Sequence, residues 1–235
     1  MPENASSIED IITRLQLSAN SERKDHSNVY FPTAMEVIGV SVPDYRLIVK
    51  EIGKQLKYQS ADIVLSYSRE IIETGIFECR QIAYELIAGH KDTMKALGAD
   101  DLEQLGAGMD NWASVDTFSV MVAGPTWRER RVPDELLIQW TQKDDIWWKR
   151  SSVVSTVALN SKARGGIGDP ERTVMICTQV VGDHHPMIAK ALSWSLRELS
   201  KRHRVVVETF LSTHAEDLAP LVIREVRRKI DTGRN

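Results

Sequence analysis

Asp116 is the one acidic residue in a series of positions that are otherwise basic. The series recurs about every 34 to 40 residues in amphipathic stretches, and its members are Arg46, Arg80, Asp116, Arg150, Lys190 and Arg224. Basic side chains bind phosphate groups, whereas a carboxylate can stabilise a developing positive charge or orient a water molecule. The pattern therefore indicates a surface for a polyanion that carries a single reactive group.

Tryptophans accompany these charges at helical spacing. Trp112 precedes Asp116 by four residues, so on a helix the two side chains share a face. Trp194 lies between Lys190 and Arg197 at the same kind of spacing. Aromatic faces attract cations, and guanidinium groups bind phosphate in bidentate fashion. The remaining members of this candidate site are Trp148 and Arg150.

Each of these residues also has a structural interpretation. A tryptophan at helical spacing more often belongs to a core, and we accept that interpretation for Trp127 and Trp140. Trp147 and Trp148 are adjacent and point to different faces, so at most one of them belongs to a core. A single aspartate such as Asp116 is more often a solvated charge or a helix cap; its register and its tryptophan neighbour favour the functional interpretation.

Composition narrows the class of protein. The chain has 235 residues and a formal net charge of −3, but residues 1–125 carry 19 acidic and 11 basic residues, whereas residues 126–235 carry 14 and 19. This asymmetry indicates a one-sided electrostatic surface. The polar, acidic N-terminus has no apolar segment of a secretion signal, and no apolar run approaches the ~20 residues of a membrane span. We expect a soluble, cytoplasmic protein.

The apolar pattern predicts an all-α fold. Spacings of three and four residues dominate, and breaks are expected at Gly75, Gly89-His90, Gly124-Pro125 and 165–168. The predicted helices lie at about 8–15, from 43 onward, 60–73, 76–89, 99–106, 111–123, 133–142, 145–159, 171–181, 186–202, 203–211 and 216–230.

Helices in pairs of about 34 to 40 residues are typical of HEAT-like repeats, which form an α-α superhelix. An irregular helical bundle is the alternative. We expect one domain over residues 1–235, with residues 1–5 and 232–235 disordered and 160–170 forming a loop between repeats. In such an array the register residues would line a concave face.

Other chemical motifs are weak. His184 and His185 are adjacent before Pro186 and fit a turn better than a metal chelate. The GGIG sequence at 165–168 has no lysine of a phosphate-binding loop. Cys79 and Cys177 lie in apolar segments and are expected to be buried, inert thiols. We expect no metal and no cofactor.

Five stretches resemble the DNA alkylation repair glycosylases of the AlkD type, a family of HEAT-like repeat enzymes. They are IGVSVPDYRLIVKEI (38–52), NWASVDTF (111–118), IWWKRSSVVSTVAL (146–159), IAKALSWSLRELSKR (188–202) and LAPLVIREVRRKI (218–230). The similarity runs over about residues 30–230. The resemblance implies a superhelix whose concave face binds duplex DNA, and excision of cationic alkylpurines such as 3-methyladenine and 7-methylguanine without a cofactor.

The resemblance also implies roles for individual residues. Asp116 matches the catalytic carboxylate, Trp112 and Trp194 match tryptophans that flank the backbone of the lesion, and Arg150 matches an arginine that contacts the backbone. The family does not need to extrude the damaged base, in contrast to most base-modifying enzymes. We further expect DNA contacts from the surrounding set Trp148, Lys190, Arg197, Arg80, Arg46 and Arg224.

The chemistry is consistent with a single carboxylate. N3- or N7-alkylation makes the purine a cation and hence a good leaving group, so only the oxocarbenium-like sugar and a water molecule need help. Two alternatives stay open: a non-catalytic protein that binds branched or distorted DNA, and a protein-interaction scaffold. The partner expected first is duplex DNA bound by a monomer, with no membrane involved.

Overall fold

A computed structural model describes residues 6–234, and within them the chain is helical, with no strand beyond an isolated bridge between Glu36 and Ile76. The all-α prediction is confirmed. The α-helices of this range are α1 Ile8–Leu17, α2 Ser21–Tyr30, α3 Val42–Leu56, α4 Ala61–Glu73, α5 Phe77–Gly89, α6 Lys91–Ala96, α7 Ala99–Gly106, α8 Trp112–Phe118, α9 Gly124–Arg128, α10 Asp134–Thr141, α11 Ile146–Asn160, α12 Pro170–Thr178, α13 Pro186–Ser200, α14 Arg204–Thr213 and α15 Pro220–Thr232. A π-helix, Ser119–Ala123, joins α8 to α9, and a 3₁₀ turn, Lys162–Arg164, follows α11.

The chain divides into two compact units, the first ending at Thr117 and the second beginning at Phe118. In the first unit α5 is central, since it packs against α3, α4 and α6 and buries ten of its thirteen residues. Serine side chains cap the N-termini of three helices by accepting backbone N–H groups; these caps are Ser7 on α1, Ser41 on α3 and Ser60 on α4. That the two units form one domain, as expected from the sequence, stays a prediction.

Helix α2 has no counterpart in the sequence prediction, because it buries none of its residues and therefore shows no apolar periodicity. Its first turn packs against Gly39, where a Cβ atom would lie 2.5 Å from the Asn20 carbonyl oxygen. Gly39 also has a φ of +91°, which favours glycine. The buried carboxylate of Glu78 fixes this segment by accepting hydrogen bonds from the backbone N–H groups of residues 38–40.

In the second unit α11 is central, with α9, α10, α12, α13 and the π-helix packed around it. Its small hydroxyl residues let neighbouring helices approach closely. Ser151 shares a hydrogen bond of 2.9 Å with Ser119 of the π-helix, and Thr156 shares one of 2.6 Å with Ser195 of α13. A helix buried on nearly every side shows little amphipathic contrast, which is why the apolar pattern alone says little about its neighbours.

The predicted break at Gly124-Pro125 is wrong. Gly124 donates its N–H to the Ser119 carbonyl, five residues earlier, and the helical path continues through Pro125 into α9. A proline in the first turn of a helical segment is tolerated because its missing N–H falls where helical donors have fewer partners. Gly124 serves packing, since a Cβ atom there would lie 2.7 Å from both Ala158 Cβ and the Ser155 carbonyl oxygen.

Helices lie next to both ends of the described residues. Helix α15 continues to Thr232, and Gly233, with a φ of +70°, caps it. Of the segments predicted to be disordered, residues 1–5 and 235 lie outside the described residues. No helix within 6–234 has an apolar run of the length that a lipid bilayer requires.

Candidate active site

Helix α8, which carries Trp112 and Asp116, starts from a buried asparagine. Asn111 Oδ1 accepts the backbone N–H of Ser114 at 2.9 Å, the bond of a helix N-cap, and its Nδ2 reaches Ser114 Oγ at 3.2 Å. The same amide donates to Asp110 Oδ1 at 3.1 Å and to Thr33 Oγ1 at 3.3 Å. Asn111 therefore fixes the first turn of α8 relative to the chain before α3.

Asp110 strengthens that attachment. Its carboxylate accepts the Thr33 hydroxyl and the Ala34 backbone N–H, both at 2.5 Å. Burial alone raises the pKa of Asp110, but the hydrogen bonds from Thr33, Ala34 and Asn111 outweigh it and lower the pKa below the ordinary aspartate value. The Asp110 carboxylate is therefore a charged clamp that joins residues 33–34 to the start of α8.

Trp112 is half-buried and held in one orientation. Its indole N–H donates to the Tyr30 carbonyl at 3.1 Å, and its ring meets the Tyr30 ring edge to face at 5.0 Å. One side of Trp112 packs on an apolar cluster of Phe31, Val37 and Phe77. Tyr30 is 61% exposed, so the pair presents aromatic surface to solvent.

Asp116 follows Trp112 on the same side of α8. Residues 112, 113, 116 and 117 are partly exposed, whereas Ser114, Val115 and Phe118 are buried. The π-helix starts three residues after Asp116, and π-helical segments often mark functional sites because they change the direction of the side chains around them.

Arg80 and Arg46 occupy different environments in the first unit. Arg80 is 7% exposed and donates to the Tyr84 hydroxyl and to the carbonyls of Leu105 and Ala107, at the end of α7. Arg46 is exposed and pairs with Glu85 at 2.9 Å, and the hydrogen bond to Glu85 raises its pKa. The DNA contacts of both residues stay predictions, and the guanidinium of Arg80 donates to acceptors within the first unit.

In the second unit, Trp148 belongs to an aromatic cluster. It is 9% exposed, its ring lies 4.7 Å from that of Trp140 and 6.2 Å from that of Phe118, and Lys143 Nζ sits 4.3 Å from its centroid. Trp147, its neighbour, is partly exposed. The adjacent tryptophans thus divide between core and surface as predicted, and Trp148 is the core member.

Arg150 is 5% exposed, and its Nη1 donates to the Met187 carbonyl at 2.5 Å. This bond ties α11 to the first turn of α13, the helix that carries Trp194.

Helix α13 separates its residues cleanly into a buried and an accessible face. Lys190, Trp194, Arg197 and Lys201 follow one another at four, three and four residues, and all are partly or fully exposed. Arg197 Nη2 lies 3.9 Å from Glu225 of α15, and Arg224 is exposed on that same helix. We call the set Lys190, Trp194, Arg197, Lys201 and Arg224 the α13–α15 cationic surface.

Other chemistries find no support in the residues that the structure describes. No group of three or more His, Cys, Asp and Glu side chains there could hold a metal ion. Both thiols are buried, and burial raises the pKa of Cys79 to about 11 and that of Cys177 to about 12, so neither is a ready nucleophile. His185 caps α13, while His184 bonds the Asp217 carbonyl.

Several contributors to this site were absent from the sequence prediction. The Asp110-Asn111 pair before a helical run is a capping signal that could have identified the start of α8. Tyr30 and Thr33 had no such signal, because their contacts to Trp112 and Asp110 span 82 and 77 residues of sequence.

Comparison with known proteins gives one family and a fold. A family described as DNA alkylation repair enzyme matches residues 11–230. A solved structure described as a predicted DNA alkylation repair enzyme from Enterococcus faecalis has a TM-score of 0.73 at 16% identity, covering 92% of this chain and 98% of that one. Another, from a family related to the HEAT-like repeat DNA glycosylases with affinity for branched DNA structures, has a TM-score of 0.68 at 13% identity, covering 97% and 96%. The HEAT-like fold is thereby confirmed. No curated protein sequence matches the chain.

Proposed function

The chain belongs to the DNA alkylation repair enzyme family, and from that premise we propose that it hydrolyses the N-glycosidic bond of cationic alkylated purines in duplex DNA. Asp116 is the catalytic carboxylate, and Trp112 and Trp194 contact the sugar-phosphate backbone around the lesion. The substrates are bases of the 3-methyladenine and 7-methylguanine type.

The observation that carries the proposal is the construction of α8. Trp112 and Asp116 share its accessible side, and the helix is fixed at its start by Asn111 and by the Asp110 clamp. A carboxylate lowers a reaction barrier most when its position is set before the substrate binds. This first turn has several long-range hydrogen bonds beyond what helix formation requires, which suits a residue that must be held in place.

The proposed reaction needs no acid. As the bond between C1′ and the purine nitrogen breaks, its electron pair goes to the purine and neutralises the positive charge that alkylation created. The sugar acquires oxocarbenium character, which the negative charge of Asp116 stabilises. A water molecule then attacks C1′ and loses a proton to the surrounding water, to leave an abasic site and a free, neutral alkylpurine.

The α13–α15 cationic surface would hold the DNA. Accessible lysine and arginine side chains bind phosphates without reading sequence, and Trp194 can pack against a sugar. Such binding releases counterions, so it should weaken steeply as salt increases. Arg150 acts on this surface indirectly, by anchoring the first turn of α13 through the Met187 carbonyl.

Base release tests the proposal directly. Duplex DNA treated with a methylating agent is incubated with the protein, and free 7-methylguanine and 3-methyladenine are measured by mass spectrometry. We expect release by the native protein and none above background by Asp116→Asn. Native protein that binds this DNA and releases no base contradicts the proposal.

Binding of branched DNA without catalysis is the second candidate. The α13–α15 cationic surface favours this candidate, because its side chains are accessible to DNA and binding by them does not require catalysis by Asp116. One structurally similar protein comes from a family with affinity for branched DNA. Competition between a four-way junction and a plain duplex decides it: a preference for the junction, with no base release, supports this candidate, and equal affinity counts against it.

A further inference from the structure

A cavity of about 470 Å³ opens in the first unit between α3, α5 and α6. Cavities of this size are typical of small-molecule sites. Its lining comes from helices other than α8, so neither Trp112 nor Asp116 contributes to it. The cavity therefore has no part in the chemistry proposed above.

Two glycines that line the cavity have open space where a side chain would lie. Gly53 lies inside α3, where glycine destabilises a helix relative to alanine, and Gly89 is the last residue of α5. Neither has a positive φ, and a Cβ atom at either would meet nothing within 4 Å. The backbone and the packing would both accept a side chain. Because glycine has no side chain, the cavity stays open at both positions and a ligand can approach the helix backbone.

Lysines face the cavity from two helices. Lys50 of α3 and Lys57, the residue that caps the end of α3, are three and four residues from Gly53, and Lys91 and Lys95 follow one another by four on α6. Of the two carboxylates in the lining, Glu85 pairs with Arg46 and Asp92 with Lys95. The lining thus has positive charge to spare, within a half of the chain that is acidic overall.

The floor is apolar. Val49, Leu56 and Leu86 line it beside the two glycines, and Leu56 and Leu86 are almost fully buried. A flat ring can lie on such a floor, while lysines bind phosphate as point charges. From this combination we infer that the cavity binds a nucleoside phosphate, with the base on the apolar floor and the phosphate between Lys50 and Lys91.

Titration calorimetry with three probes tests the inference on the native protein. Adenosine 5′-monophosphate carries both features, adenosine lacks the phosphate, and inorganic phosphate lacks the base. We expect the nucleotide to bind. Adenosine and inorganic phosphate should each bind at least roughly tenfold more weakly, because each lacks the contacts of either the phosphate or the base. No nucleotide binding at millimolar concentration, or equal affinity for nucleotide and phosphate, overturns the inference.

Two variants locate the site. Gly53→Leu fills the cavity and is expected to abolish nucleotide binding. The melting temperature should not fall, because the space at this position is open. Lys50→Ser with Lys91→Ser removes the charge without filling space and is expected to weaken binding in a salt-dependent way. Lys54→Ser, an exposed lysine of α3 outside the lining, is the matched control and should bind normally.

The outcome is separable from that of the proposed glycosylase. Gly53→Leu should release methylated bases at the native rate, since Asp116 is untouched. If instead the paired lysine variant weakens duplex DNA binding while no mononucleotide binds, the lysines belong to a DNA-contacting surface and the inference is wrong.

Discussion

The indole N–H of Trp112 donates a hydrogen bond of 3.1 Å to the backbone carbonyl of Tyr30, across 82 residues of sequence. The two rings meet edge to face, at an interplanar angle of 89°. Trp112 is thereby fixed at the end of α2, a helix that buries none of its own residues. A polar helix that apolar periodicity does not predict thus orients an aromatic residue of the candidate active site.

Replacing Trp112 by phenylalanine separates the hydrogen bond from the ring. Trp112→Phe leaves the Tyr30 carbonyl without its donor but keeps an aromatic side chain on the Phe31 and Phe77 cluster. We expect the free energy of unfolding to fall by about 1 kcal/mol, the net contribution of one hydrogen bond. We expect the barrier to base release to rise by more than this, because the ring is free to turn. Urea unfolding and single-turnover base release measure the two effects. Equal activity of variant and native protein would mean that the orientation of Trp112 is irrelevant.

Asp116→Asn should separate catalysis from binding. The amide has the shape of the carboxylate without its charge, so base release is lost, whereas repulsion from phosphate disappears. We expect duplex DNA to bind at least as tightly as to native protein, measured by fluorescence anisotropy at several salt concentrations. A variant that has lost DNA affinity along with activity would show that Asp116 acts on structure.

Lys190 and Arg80 should respond in opposite ways. Lys190→Ala removes an exposed charge of the α13–α15 cationic surface, so stability stays within about 0.5 kcal/mol and the salt slope of DNA binding falls by about 1. Arg80→Met removes the guanidinium donor to the Ala107 carbonyl and leaves the Leu105 carbonyl with the Tyr84 hydroxyl, at a cost of about 1 kcal/mol for each lost hydrogen bond. Thermal unfolding and a salt titration are run on both. A reduced salt slope in a well-folded Arg80→Met protein would support Arg80 as a DNA contact.

Gly124→Ala should destabilise the second unit. A Cβ atom at this position would lie 2.6 Å from the Ser119 carbonyl oxygen and 2.7 Å from the Ser155 carbonyl oxygen, and backbone cannot move away cheaply. Overpacking of this kind costs about 1–3 kcal/mol. Gly182→Ala is the matched control, since nothing lies within 4 Å of its Cβ position. Similar unfolding midpoints for the two variants in urea would contradict the close packing of α9 on α11.

The Asp110 clamp predicts a pH dependence. Because its hydrogen bonds lower the pKa of Asp110 below the ordinary aspartate value, its contribution to stability is present at higher pH and is lost as the pH falls through the lowered pKa. Asp110→Asn should therefore be less stable than native protein at pH 7, and the difference should shrink at strongly acidic pH. Urea unfolding of both proteins across this range measures it. A constant difference at all pH values would exclude the charge of Asp110 as its source.

The sequence by itself determined most of the helices, though neither α2 nor α6, with their approximate bounds and the sides of α8 and α13 that face solvent, because the spacing of apolar residues within one helix records which side is buried. It also determined the family, through motifs that are local in the chain. Trp112 with Asp116, and Trp194 with Lys190, could be paired in advance for that reason.

Only the tertiary structure decided which charges and rings are available. Arg80 and Arg150 occupy the same repeat register as Lys190, yet both are buried on backbone carbonyls while Lys190 is exposed. Trp148 turned out to be core, and α2 with Tyr30 was not foreseen. These outcomes depend on contacts between residues that are distant in sequence. Such contacts do not change the local spacing of apolar residues, so that spacing cannot predict them.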